Sequence, residues 1–247
     1  MRALLFAGLL LLPGLAFAQD SDEDLARELL DSTDDMYRGT SSHAKVTMNV
    51  KTARFTRSLT MESWSKGEEK SLIRILSPTK EAGVTTLKVG ENIWNYLPKV
   101  DRTMKVPQGM MGGSWMGSHF SNDDLVKESR MADDFTYVLR QRAEGDDGKW
   151  VVECVAKPTA AVVWGKVVVT LRADKLSEKI EYYDEKDVLI RTMSFLDVKE
   201  VGGRLAPSRM LLVPEDKPDE YTEVVYDSLE LDVSVPDSMF SLQELKK

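Results

Sequence analysis

The sequence predicts a mainly β fold, an antiparallel curled sheet or incomplete β-barrel that follows one N-terminal α-helix. Three observations support this prediction. Apolar residues recur at helical spacing over residues 22–38, they alternate with polar residues over most of residues 40–235, and hairpin-type turns separate the alternating segments. We count ten or eleven short strands, and the regular turns favour pairing between strands that are neighbours in the chain. We expect the helix, capped by Ser21, to pack across one opening of the sheet.

Residues 1–18 have the features of a signal peptide. Arg2 is the positive n-region, Ala3 to Leu12 form an apolar run too short to span a bilayer, and an A-x-A cleavage site ends at Ala18. We expect the mature chain, residues 19–247, to form a single β domain. No cysteine lies at the cleavage site directly after the apolar run, and no later run is long enough for a transmembrane helix, so we expect a periplasmic protein without lipidation.

Composition excludes several classes of function. The chain has 33 basic and 41 acidic residues and a formal net charge of −8, which argues against binding to nucleic acid or to an anionic bilayer surface. Its one cysteine, Cys154, has no partner for an internal disulfide. Alternation with Val152 predicts that this thiol is buried and is not a reactive nucleophile.

An irregular segment, here called the cover segment, interrupts the alternating pattern at about residues 107–126. It combines glycines, which loosen the backbone, with bulky apolar methionine and tryptophan side chains. A solvated loop gains little from such side chains, so we interpret the segment as a mobile lid over an apolar surface. An ordinary loop packed on the core is the alternative. The segment ends at a predicted helix N-terminus, with Ser121 as the N-cap and Asp123 and Asp124 as first-turn charges.

The strand before the cover segment contains the predicted mouth of a cavity. Strand alternation places Trp94 and Tyr96 on one face and Ile93 and Leu97 on the other. We expect the aromatic pair to face the cavity, because a ring with a polar edge suits the boundary between a lipid head and its tail. The predicted lipid-binding and lid residues are Trp94, Tyr96, Met110, Met111, Trp115, Met116 and Phe120, and the predicted hinges are Gly109, Gly112, Gly113 and Gly117.

Residues that could perform catalysis or bind a metal are sparse. The run from Gly113 to Gly117 has Trp115 where a G-x-S-x-G nucleophile elbow requires serine. Two histidines, His43 and His119, and one cysteine provide no zinc-ligand spacing. We therefore predict no catalytic residues, no metal and no cofactor.

Methionine is over-used in the predicted β region. Ten methionines follow the N-terminal helix, namely Met48, Met61, Met104, Met110, Met111, Met116, Met131, Met193, Met210 and Met239. Ordinary cores consist mainly of Leu, Ile and Val, whereas flexible thioether side chains suit a cavity that accepts acyl chains of varied shape. A packed core filled by methionine is the alternative.

The strand end and the cover segment carry motifs of a known family. A W-x-Y-x-P strand end and a basic segment precede S-W-M-G-S-x-F-S-x-D-D; the residues concerned are Trp94, Tyr96, Pro98, Arg102, Ser114–Ser118, Phe120, Ser121, Asp123 and Asp124. These motifs resemble the outer-membrane lipoprotein-sorting family, the proteins similar to LolA, and match its broader branch better than LolA itself. The resemblance implies an incompletely closed barrel with a lid over an apolar cavity.

The resemblance also implies a function. It indicates a periplasmic carrier that binds a lipid or the acyl chains of a lipoprotein and shuttles them between membranes without chemistry. Members of this family are often associated with inner-membrane transporters of the resistance-nodulation-division (RND) type. The alternative is therefore an accessory interaction protein of an RND-type envelope export system. Either role describes a monomer that is not an enzyme.

Overall fold

The structure, a computed structural model, describes residues 21–127, 131–160 and 162–247, so the predicted signal peptide lies outside the described residues. The described residues contain thirteen strands, more than the ten or eleven expected. Strands as short as the four-residue β6 are too brief for a clear alternating pattern. From β1 to β13 the strands span Ser41–Lys51, Thr56–Lys66, Lys70–Ser77, Thr85–Val89, Asn92–Leu97, Arg102–Lys105, Phe135–Gln141, Lys149–Ala156, Lys166–Arg172, Ser177–Tyr183, Leu189–Val201, Arg204–Pro214 and Tyr221–Leu231.

All thirteen strands belong to one antiparallel sheet, which confirms the predicted fold class. The strand order begins at β6, runs back to β1, continues through β13 and returns to β7. β1 and β13 pair directly, with Val46 opposite Tyr226. The two edge strands, β6 and β7, are therefore consecutive in the chain, and the residues that connect them include the cover segment. The sheet is an open barrel and not a closed one.

The N-terminal helix forms as predicted. α1 spans Asp22–Arg38, and its N-cap Ser21 accepts a hydrogen bond from the Asp24 N–H at 3.1 Å. Gly39 ends the helix at a φ of 54°, a positive value that glycine adopts without steric cost. Among the described residues, Asp124–Lys127 (α2) and Met131–Asp134 (α3) are helical and precede β7. No helix among the described residues is both long and apolar enough to cross a bilayer.

Helix α1 covers the concave face of the sheet. Its Ala26, Leu29 and Leu30 are buried in a cluster formed with β7 to β12, to which Met193 and Leu212 contribute. Nearer its C-terminus, Tyr37 stacks on Tyr226 of β13 with ring centroids 4.9 Å apart. The helix thus crosses from one half of the sheet to the other.

The opposite face of β3 to β5 is covered by the C-terminal segment, residues 232–247. This segment contains two 3-10 turns, Asp237–Phe240 and Glu244–Lys246. Phe240 and the fully buried Leu245 pack there against Leu72 and Leu87. The C-terminal segment therefore covers this face of the sheet, opposite the concave face.

Candidate functional site: a covered cavity in the sheet

A cavity of about 270 Å³ lies between the concave face of the sheet, α1 and the cover segment. Its wall is mainly apolar. Four of the ten methionines counted in the sequence line it, Met48, Met61, Met131 and Met210. Met193 lies instead in the packed cluster beside α1, so the methionines contribute to both a cavity and a core.

The cover segment is a tight hydrogen-bonded loop. Ser114 and Ser121 form an isolated antiparallel bridge, and the Trp115 N–H donates to the Phe120 carbonyl at 2.7 Å. Met116 and Gly117 form the turn between them, with φ angles of 50° and 65°. Because of this closed loop, the Trp115 and Phe120 side chains both reach the cavity wall.

Polar contacts attach the loop to the sheet at two places. The Trp115 indole N–H donates to Thr86 Oγ1 of β4 at 3.1 Å. On the other side, the His119 backbone N–H donates to Thr222 Oγ1 at 3.0 Å, and His119 Nε2 lies 3.2 Å from a Glu220 carboxylate oxygen. Hydrogen bonds from the Ala53 N–H and from His119 lower the pKa of Glu220 below its ordinary value. The loop therefore bridges β4 and the start of β13.

A buried ion pair forms the third attachment. Arg191 of β11 donates to both carboxylate oxygens of Asp124, at 2.9 and 2.6 Å, and also to the His119 carbonyl at 2.9 Å. Both side chains are over nine-tenths buried. The guanidinium carbon lies 4.3 Å from the ring centroids of both Trp164 and Tyr182, an arrangement that favours a desolvated cation.

The position of Asp124 corrects the sequence interpretation. The Ser121 hydroxyl accepts a hydrogen bond from the Asp124 N–H at 3.1 Å, so the predicted N-cap is confirmed. The helix, however, begins at Asp124 and has only one turn among the described residues. Asp124 is a first-turn charge as predicted, whereas Asp123 precedes the helix, and both side chains are buried. The partner Arg191 is 67 residues away in the chain, so no local pattern reveals it.

The predicted lid residues separate into different environments. Trp115 and Phe120 line the cavity, and Met116 packs against the same apolar cluster. Met111 is buried against Ile93 of β5, whereas Met110 is 63% exposed. The cover segment thus contributes Trp115, Phe120 and Leu125 to the cavity wall, whereas Met110 and Met111 lie away from it.

Trp94 and Tyr96 do not lie at the cavity. Trp94 is directly opposite Leu87 in the register of β4 and β5, and Leu87 faces the C-terminal segment. Both aromatic rings pack in that outer cluster, while Ile93 is fully buried on the opposite face. Alternation correctly separates the two pairs, but their burial shows that the aromatic pair was placed on the wrong side of the sheet.

The predicted hinge glycines have unequal freedom. A Cβ at Gly109 would meet no atom within 4 Å, and one at Gly112 would make an ordinary contact with Val163. A Cβ at Gly113 would lie 3.0 Å from the Met110 carbonyl oxygen, and Gly117 has a positive φ. Gly113 and Gly117 are therefore needed for the shape of the loop, whereas only Gly109 and Gly112 are replaceable without strain.

Sequence reasoning missed a polar end of the cavity. Ser42 and Ser65 are opposite each other on β1 and β2, and their hydroxyl oxygens are 2.6 Å apart. Ser71 is opposite Ser65 on β3, and Ser63 is two residues along β2. All four line the cavity together with Arg38. Serines at inward positions of three paired strands are the signal that could have revealed this end.

The described residues contain no group of three or more side chains arranged to hold a metal ion. Cys154 is fully buried, and burial raises the pKa of its thiol to about 12. Ser114 donates its hydroxyl proton to the Ser118 carbonyl, and His119 is engaged with Thr222 and Glu220. The polar residues of the cover segment thus support the loop.

Comparisons with known proteins agree with this architecture. A protein-family model whose description reads "-like: Uncharacterized protein" matches residues 67–247. No curated protein matches the sequence. Among solved structures, a DUF1329 family protein from Desulfovibrio piger superposes with a TM-score of 0.79 at 19% identity, covering 92% of this chain and 100% of the other.

Two further structures carry descriptions that mention sorting or LolA. An outer membrane lipoprotein-sorting protein domain from Vibrio parahaemolyticus has a TM-score of 0.77 at 22% identity, covering 92% of this chain and 98% of the other. A LolA superfamily protein from Nitrosomonas europaea has a TM-score of 0.74 at 20% identity, covering 89% and 98% respectively. At these identities the likeness establishes a shared fold.

Proposed function

This chain belongs to the "-like: Uncharacterized protein" family, and from its LolA-type fold and covered cavity we propose that it is a periplasmic carrier. In this proposal it binds a lipid, or the acyl chains of a lipoprotein, and moves them between membranes without chemical change. The aromatic and methionine side chains of the cavity wall would contact the apolar cargo. The cover segment would open to admit and release it.

The observation that carries the proposal is the apolar cavity under the cover segment. Its volume of about 270 Å³ is just below the roughly 300–1,000 Å³ of typical small-molecule sites. It therefore suits one apolar chain more than a bulky lipid with several. A larger cargo requires the cover segment to move outward, which fits its position between the two unpaired sheet edges.

The test is native mass spectrometry of the protein purified from periplasm. We expect a bound lipid that survives desalting. The matched variants are Ala44→Phe, which fills the cavity from its wall, and Ala53→Phe, which adds the same ring at an exposed position. Lipid should be lost in the first variant and retained in the second. Bare wild-type protein in every condition would contradict the carrier and favour the accessory role in an export system.

A further inference from the structure

The cavity has chemically different ends. Along the inward face of β1 the residues change from Ser42 through Ala44 and Val46 to Met48. At the strand rise of about 3.3 Å per residue, Ser42 and Met48 are about 20 Å apart. Trp115 and Phe120 cover the apolar part. A ligand that matches this wall has one polar end and one apolar chain.

The polar end offers hydroxyl groups to a ligand. Ser42 and Ser65 satisfy each other, but within the described residues the hydroxyls of Ser63 and Ser71 have no hydrogen-bond partner. Both residues are half-buried and line the cavity. A ligand oxygen placed there could accept a hydrogen bond from either hydroxyl.

The polar end also carries a positive charge. Arg38, the last residue of α1, lines the cavity beside the serines, and its Nε atom is buried. Among the described residues that line the cavity, Arg38 is the one with a charged side chain. A guanidinium group binds carboxylates and phosphates through paired hydrogen bonds, so the charge at this end complements an anionic head group.

We propose that the cavity binds a single-chain amphiphile with an anionic head group, a carboxylate or a phosphate. The head contacts Arg38 and the hydroxyls of Ser63 and Ser71, and the chain extends toward Met48 and Trp115. This proposal rests on the proposed carrier function, because it specifies the ligand of the same cavity.

The test is displacement of a fluorescent fatty acid from delipidated protein by amphiphiles of equal chain length. A fatty acid and a lysophosphatidic acid carry the two anionic heads, a monoacylglycerol is neutral, and an alkylammonium is cationic. We expect the better anionic ligand to bind about tenfold more tightly than the neutral one, the effect of one hydrogen bond to a charged group. Whichever anion binds more tightly identifies the head as carboxylate or phosphate.

Variants locate the effect. Arg38→Gln should remove the preference for anions and leave the affinity for monoacylglycerol unchanged, whereas Arg27→Gln, on the exposed side of the same helix, should change neither. The double variant Ser63→Ala and Ser71→Ala should weaken anion binding without altering the charge of the cavity. It also provides a second test if Arg38→Gln does not fold.

The outcomes separate the two proposals. Equal affinity for all four amphiphiles would overturn the head-group assignment and leave a carrier that does not select the head group. An undiminished anion preference in Arg38→Gln or in the double serine variant would overturn the assignment of Arg38 and the serines as the head-group site. Failure of every amphiphile to bind the wild-type protein would overturn the carrier proposal together with it.

Discussion

At the scale of single residues, the strongest attachment of the cover segment is a charge pair that the protein buries almost completely. Arg191 and Asp124 are 5% and 7% exposed, and Arg191 also bonds to the His119 carbonyl. Burial removes the hydration of both charges, and the bidentate geometry and the Trp164 and Tyr182 rings offset that cost. Such a pair adds little net stability but requires both partners.

We therefore predict a strong asymmetry between single and double substitution. Arg191→Met leaves the Asp124 carboxylate buried without its cation and should lower the free energy of unfolding by about 3–5 kcal/mol. Adding Asp124→Leu removes the unpaired carboxylate and should recover a large part of the lost free energy of unfolding. Urea unfolding of the three proteins measures this. A double variant no more stable than Arg191→Met would mean that the cost comes from packing and not from charge.

Cys154 gives a prediction of pH dependence. Its pKa is raised to about 12, so the thiol stays protonated in the folded protein until the pH approaches that value. The thiolate is the reactive form, and the side chain is fully buried. We expect no modification by a disulfide reagent at pH 8 in native buffer and one modified thiol in denaturant. Rapid native labelling would show that this region of the sheet opens.

At the scale of elements, the contribution of the C-terminal segment to stability depends on which of its side chains are buried. Chain ends are commonly dispensable unless they pack against the domain. Leu245 is fully buried two residues from the end, whereas Leu242 in the same segment is 51% exposed. No local pattern in the sequence indicates that this segment covers the face of the sheet that bears Trp94 and Tyr96.

The two leucines form a matched pair. Leu245→Ala should reduce the free energy of unfolding by about 2–5 kcal/mol, because it leaves a cavity against Leu72 and Leu87. Leu242→Ala should change it by no more than about 0.5 kcal/mol, as is usual at the surface. Denaturant unfolding compares them. Equal effects would show that the C-terminal segment does not pack on the sheet in solution.

The cover segment is held more firmly than its glycine content suggests. Its contacts with Thr86, Thr222 and Arg191 must break or move before the loop can open. We predict that Gly112→Ala slows the transfer of a fluorescent acyl ligand between vesicles and leaves the melting temperature unchanged. The added Cβ fits the closed loop without strain, but it reduces the number of backbone conformations that residue 112 can adopt when the loop opens.

The control is Gly113→Ala, in which the new Cβ lies 3.0 Å from the Met110 carbonyl oxygen. This variant should lower the melting temperature as well, because the loop must shift to accommodate the methyl group. Unchanged transfer in a fully stable Gly112→Ala protein would indicate that the segment is an ordinary packed loop, the alternative that its sequence left open.

At the scale of the whole molecule, the sequence predicts what local rules determine. Period-two alternation and hairpin turns indicate the strands and their order within each half of the chain. The pairing of β1 with β13 joins residues as distant as Ser42 and Leu231, and no local pattern specifies it. Local patterns also do not determine which face of β5 points toward the concave side. Alternation separates Ile93 from Trp94, but only the packing of the C-terminal segment determines which of them faces outward.

A cavity kept open in the folded sheet predicts that ligand binding stabilises the whole molecule. A ligand that binds the folded state alone adds about 2.7 kcal/mol at a concentration one hundred times its dissociation constant. For a domain of roughly 150–250 residues, each kcal/mol shifts the melting temperature by about 2–4 °C, so we expect a rise of roughly 5–10 °C with a long-chain fatty acid. Thermal unfolding of delipidated protein measures this shift.

Ala44→Phe, which fills the cavity, should abolish the shift, while Ala53→Phe should retain it. The same rise in Ala44→Phe would place the ligand outside the cavity, on the protein surface.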